Sequence, residues 1–187
     1  MGTRRIAKVD DFGGSKVRIA PEMGKILEEY GATLQSMPVP DSLAAMKSGT
    51  IDVIVLPPFA FVAYNIPDVA RYMTENISLG SPLCYLAVSQ KAWDALPARV
   101  QEVMLGLRQP TVAQYEALFA QEDAGNIAAF KQKGVELVAF SAVDRIRLVA
   151  KAIKYWQIWV DEREKRGLKA REVFEFTQAK IREYTRK

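Results

Sequence analysis

The 187-residue chain has no histidine and a single cysteine, Cys84. Without imidazole there is no Ser-His-Asp or Cys-His arrangement and no His-built metal site. One thiol cannot close an internal disulfide. Cys84 lies between Leu83 and Tyr85 in a strand-like apolar run and reads as a buried structural thiol. No stretch approaches the ~20 consecutive apolar residues of a membrane-spanning helix. Internal repeats, low-complexity tracts and a phosphate loop are all missing. The adjacent acids Asp10-Asp11 and Glu28-Glu29 point to different faces and lack catalytic spacing. These absences argue against an enzyme, which needs matched acid–base partners, and no cofactor or metal is expected. The start, MGTRRIAKVDDFGG, has no apolar core and is not a signal peptide.

Apolar residues make up 49% of the chain, enough for one domain with a sizeable core. Charge is uneven. Residues 1–142 carry 13 Lys/Arg against 15 Asp/Glu, and residues 143–187 carry 13 against 7. A basic tail raises nucleic acid as a partner. Interleaved Asp161, Glu162, Glu164, Glu172, Glu175 and Glu183 point instead to solvated helical faces with internal ion pairs.

The organising stretch runs from Lys16 to Phe61. Apolar runs at Val17–Ala20, Thr33–Met37 and Ile51–Leu56 alternate with helical patterns at Glu22–Tyr30 and Asp41–Lys47. That alternation predicts an α/β fold with right-handed βαβ units and a mostly parallel sheet flanked by helices. Pro21 opens the first helix, Met23, Ile26, Leu27 and Tyr30 face the sheet, and Gly31 stops it. After Pro38-Val39-Pro40, Asp41 or Ser42 caps the next helix, with Leu43, Ala44 and Met46 inward and Gly49 as its stop. Its free N–H groups either are simply capped or favour an anion. Arg18 lies inside the first strand between Val17 and Ile19. A guanidinium there needs either an internal Asp or Glu or a bound carboxylate.

Further on, Asp68–Ser78 reads as a short helix or turn leading to a strand at Leu83–Ser89. Residues 91–133 are helical in pattern, broken at Pro110 and resuming through Val112, Tyr115, Phe119, Ile127 and Phe130 to Gly134. Val135–Phe140 is strand-like. Two long helices follow, Asp144–Arg166 and Ala170–Lys187. The first carries Ile146, Val149, Ile153, Trp156 and Val160 on one side, broadened by Leu148, Tyr155 and Trp159, a stripe that something must cover.

Several pieces of this order resemble the solute-binding proteins of TRAP-type (tripartite ATP-independent periplasmic) transporters, the dicarboxylate-binding group. They are Asp11-Phe12-Gly13-Gly14-Ser15-Lys16-Val17-Arg18-Ile19, Gly31-Ala32, Met37-Pro38, Asp41, Ala45-Met46-Lys47-Ser48-Gly49 and Ile51-Asp52. Asp68-Val69, Tyr72 and the Ser89-to-Pro97 segment with Trp93 and Leu96 also fit. The resemblance covers the second, carboxyl-terminal lobe, and implies a fragment, a truncated version or a half-length relative. It implies residues 1–89 as the α/β ligand-binding lobe. Residues 90–187 would then be a helical segment with one strand, 135–140, normally spanning to the first lobe, where that strand's partners lie. It places hinge strands on roughly Ile77–Ser89.

By the same resemblance the function is capture of an organic acid in the periplasm. Membrane subunits of the transporter are the partners, and a sensory module of similar fold is the alternative. Arg18 would pair with the ligand carboxylate, and the ligand would lie among Arg18, Val39, Asp41, Leu56, Pro57 and Phe59. The family pattern Asp-Gly-x-Glu-Asn-Pro stands here as Asp52-Val53-Ile54-Val55-Leu56-Pro57. Leu56 replaces the ligand-holding Asn, so one polar contact is lost. Leu56, Phe59 and Phe61 either favour a ligand with a hydrophobic body or are simply core. Without the first lobe, weak binding and self-association through the exposed helix stripe are expected.

Overall fold

Val17 and Ile19 are fully buried while Arg18 between them is half-buried, the alternation of a strand with different surroundings on its two faces. The computed structural model describes residues 1–80 and 85–185. Strands β1 (Lys16–Arg18), β2 (Thr33–Gln35) and β3 (Val53–Ile54) form a parallel sheet in the order β2-β1-β3. Helices α1 (Pro21–Glu28) and α2 (Ser42–Lys47) make the crossovers. The third run does not end as a loop at Pro57-Pro58. Pro58 opens a helix, α3 (Pro58–Ala63), because proline fits the first helical position, where no N–H bond is lost.

A second parallel pair, β4 (Tyr72–Glu75) and β5 (Glu136–Ala139), lies beside the first. Residue 2 joins them, bridging antiparallel to Val53 on one side and Tyr72 on the other. The spatial order is therefore β2-β1-β3, residue 2, β4-β5, and the five named strands point the same way. This corrects the partners of the 135–140 strand: they are Tyr72–Glu75 of this chain.

Between β4 and β5 come α4 (Gln90–Asp94), α5 (Ala98–Gly106) and α6 (Arg108–Gln132). The break falls at Leu107, before Pro110, which sits in the first turn of α6 where its missing N–H costs nothing. Residues 85–89 form no strand. Tyr85 and Leu86 are 86% and 93% exposed, and a segment without a neighbouring strand has no ladder to join. Leu83 and Cys84 lie outside the described residues, as does part of the Ile77–Ser89 hinge assignment. Helices α7 (Ala142–Glu164) and α8 (Ala170–Thr185) end the chain.

Two cores flank the sheet. On one face Val17, Ile19, Ile26, Leu27, Phe12 and Leu148 pack together, so α1 and α7 cover it. On the other, Met46, Ile51, Ile54, Phe61, Ile66 and Phe130 pack, contributed by α2, α3 and α6 among others. In α2 the inward residues are Met46 and Ser42, with Leu43 and Ala45 partly packed and Ala44 exposed, one step off the expected face. Gly24 lets α1 lie close on the sheet. A Cβ there would collide with Ile19 Cγ2 and sit 3.0 Å from both Leu34 methyls. Gly24→Ala should destabilise by about 1–3 kcal/mol through overpacking, outweighing a helix-propensity gain of about 1 kcal/mol. Urea melts check this; a stabilised variant would show a looser α1 contact.

The α7 stripe turns the other way. Leu148 and Val160 are buried, whereas Ile146, Val149 and Ile153 are more than half exposed. The packed edge is fastened by Glu29, at the end of α1. Tyr155 donates its hydroxyl to Glu29 Oε1 at 2.6 Å, Lys154 reaches Oε1 at 3.2 Å and Lys151 reaches Oε2 at 3.3 Å. Lys151 also lies 4.3 Å from the Tyr30 ring centre. The Tyr155 hydrogen bond, then those of Lys154 and Lys151, lower the Glu29 pKa to about 2, and the same bond raises Tyr155 to about 12. The fold prefers ionised Glu29. Its contribution is whole above the ordinary carboxylate range and is lost as pH falls toward 2. Glu29→Gln should therefore flatten the acid limb of the stability profile between about pH 4.5 and 2. Denaturant midpoints at pH 5 and pH 3 read this; parallel profiles for both proteins would contradict it. The interleaved charges of the tail do pair: Asp161 with Arg171, Glu172 with Lys169 and Glu183 with Lys180.

Candidate ligand-binding site

In an open parallel sheet, ligands settle beyond the carboxyl ends of the strands where the winding direction reverses. Here α1 carries the chain from β1 to β2 on one side, and α2 brings it back to β3 on the other. The reversal point lies between β1 and β3, and Arg18 is the last residue of β1. Register pairs Arg18 with Gln35 and Ile54, so its side chain shares the face of Ile54, beneath α2 and α3. Val17 takes the opposite, α1 face.

The guanidinium turns along the strand ends. Its Nε and Nη2 donate to one acceptor, the Met37 carbonyl, at 3.3 and 3.1 Å. Among the described residues no carboxylate lies within 4.0 Å of it. Of the two partners its sequence position calls for, the internal acid is not there. A carbonyl fixes the fork's direction without neutralising its charge, and leaves further N–H donors for a planar anion. Met37 was not foreseen; backbone acceptors leave no mark in sequence, although the Met37-Pro38 turn marked the place.

The other expected residues divide. Val39 and Asp41 form a short 3-10 turn directly after Met37, Val39 half-buried and Asp41 exposed. Asp41 occupies the N-cap position of α2 but makes no side-chain capping bond. Its helical backbone angles remove the geometry that a cap requires. The Ser42 hydroxyl is buried without a hydrogen-bond partner and caps nothing either. Leu56 and Pro57 follow β3, next to β1, where Val55 N–H donates to the Arg18 carbonyl at 3.0 Å. Phe59 is drawn to α6, its ring edge-on to Phe119 at 5.5 Å. Phe61 is core, 6.2 Å from Phe130.

A cavity of about 340 Å³ opens at the ends of β3 and β4, lined by Val55, Leu56, Phe61, Thr74, Glu75 and Ile77 among others. Of the expected site residues only Leu56 reaches it. Arg18 thus stands on an open edge rather than inside a closed pocket.

An open, doubly covered parallel sheet with a carboxylate-free guanidinium at its reversal point is one lobe of a periplasmic-binding-protein-type fold. The chain belongs to the bacterial extracellular solute-binding protein family 7 (DctP), which it matches over residues 1–162. Over 140 residues it is 27% identical to a solute-binding protein of Albidiferax ferrireducens, covering 73% of this chain and 41% of that one. Among solved structures it resembles a TRAP periplasmic solute-binding protein of Desulfovibrio salexigens with bound orotic acid. The TM-score is 0.81 at 18% identity, over 96% of this chain and 58% of that one. It also resembles a TRAP solute-binding protein of Rhodoferax ferrireducens with copurified benzoate, at TM-score 0.79 and 21% identity, over 99% and 59%. The chain spans between two fifths and three fifths of these relatives' length.

Proposed function

We propose that this chain is the ligand-binding lobe of the extracytoplasmic solute-binding component of a TRAP-type transporter, and that it takes an organic acid at Arg18. One observation carries the reading: a guanidinium at the β1/β3 reversal point, aimed by the Met37 carbonyl and without a carboxylate of its own. The relatives with orotic acid and benzoate bind compounds that carry a carboxylate, and both are named as transporter components, which favours transport over a sensory module.

In this reading the acid meets the free edge of the Arg18 fork, with Val39, Asp41, Leu56 and Pro57 around it and Phe59 at the outer margin. Leu56 offers no hydrogen bond, so an aromatic or alkyl body fits better than a hydroxylated one. A second lobe would close over the ligand about a hinge, and the closed form would dock on membrane subunits from the periplasmic side. With one jaw alone, affinity falls to the millimolar range, about −4 kcal/mol. An NMR titration checks this. Benzoate should shift resonances at the strand ends saturably and benzamide should not. Equal shifts with both would remove the carboxylate from the account.

A further inference from the structure

The antiparallel segment at the chain start stops halfway through the sheet. Gly2 exchanges backbone hydrogen bonds with Tyr72, and Met1 exchanges them with Ile54. Two residues further along each neighbour, the next bonding positions are Leu56 on β3 and Thr74 on β4. The intervening residues bond outward: Val55 N–H to Arg18, and β5 through Glu136 N–H to the Arg71 carbonyl and Phe140 N–H to that of Glu75. Leu56 and Thr74 therefore turn their backbone groups toward each other across the mouth of the 340 Å³ cavity. Ile6, Phe12, Phe61, Met73, Ile77 and Leu79 line it above and below. At its floor lies the Met1 amine, fully buried with the Ile54 carbonyl as its acceptor at 3.0 Å. Burial alone lowers that amine's pKa to about 5.

The shape is a strand's width, apolar on both faces, with ladder donors and acceptors on both walls and a cationic group at the closed end. We infer that this slot is a strand-addition site for the carboxyl-terminal end of an extended apolar peptide supplied by another polypeptide. The peptide enters from the carboxyl edge and runs antiparallel to β3 and β4. Its backbone takes the bonds of Leu56 and Thr74, its side chains enter the two cores, and its terminal carboxylate faces the Met1 amine. The direction follows from the bridges of residue 2, which are antiparallel on both sides. The identity of the end follows from the floor, since a chain running inward stops there with its carboxyl group. The site is separate from the one at Arg18 and does not depend on it.

Amide hydrogen exchange on the full chain tests this with the peptide acetyl-Val-Thr-Val-Leu as free acid at millimolar concentration. The free acid should slow exchange at Leu56 and Thr74 at least tenfold, while Val55 is unaffected. The amidated peptide should need at least tenfold more to do the same, and acetyl-Val-Pro-Val-Pro, which lacks two donors, should do nothing. Equal protection by the proline peptide, or by acid and amide alike, would overturn the proposal. So would Leu56 and Thr74 amides already protected without peptide. Protection that grows with protein concentration alone would assign the slot to a second copy of this chain.

Discussion

Arg18→Ala should leave no detectable benzoate shift under conditions where the parent chain titrates in the millimolar range. Deleting one member of a hydrogen-bonded charge pair costs about 2–5 kcal/mol, so a millimolar complex becomes unmeasurable. The substitution should not unfold the protein. Arg18 is half-buried, and its partner is one carbonyl at a strand end rather than an ion pair. Arg18→Lys separates charge from geometry. Lysine keeps the cation but loses the planar fork that addresses a carboxylate with two parallel bonds, and binding should weaken about tenfold rather than vanish. Full retention in Arg18→Ala would mean that the acid binds elsewhere.

The largest stability effect is expected at Phe130. Its side chain is completely buried near the end of α6, edge-on to Phe61 and in the cluster with Ile51, Ile54 and Ile66. Most of the preceding α6 face is open: Val112, Tyr115 and Leu118 are about half exposed. Phe130 is thus the main anchor that ties this 25-residue helix to the sheet. Phe130→Ala removes the ring and leaves a cavity that α3 and β3 cannot close, at about 3–5 kcal/mol. For a domain whose total stability is about 5–15 kcal/mol this is a large share. Denaturant unfolding reads it directly; a loss under about 1 kcal/mol would show that α6 is held by other contacts. Tyr115→Ala, on the open face of the same helix, should cost under about 1 kcal/mol.

These two sites also show what a reader of the sequence can and cannot see. The run from Lys16 to Ile54 was legible because every level agrees there. Period-two apolar runs alternate with a helix opened by Pro21 and closed by Gly31, whose φ of +82° favours glycine. Arg18 stood out because charge interrupts that pattern. Its Met37 partner did not, since a carbonyl belongs to every residue. The α3 helix was hidden by Pro57-Pro58, which reads as a turn until the first-turn role of Pro58 is seen. Residues 1–3 gave no strand signal, because Gly2 carries no side chain, yet they join the two halves of the sheet. The 83–89 run has strand chemistry, but its described part has no ladder partner, and propensity alone does not make a strand. In α7, periodicity identified an apolar helix but chose the wrong packed side. Ile146, Val149 and Ile153 look outward, whereas Leu148 and Tyr155, which seemed to broaden the stripe, make the contact with α1. A stripe this wide allows more than one docking angle, and the Glu29 cluster selects the one adopted.

The most direct test of the Arg18 assignment is the ¹⁵N resonance of its Nε–H, followed as benzoate is added. The account predicts a saturable shift with the same midpoint as the strand-end amides, because the fork that now leans on the Met37 carbonyl accepts a carboxylate. An Arg18 Nε–H signal that stays fixed while those amides titrate would contradict it.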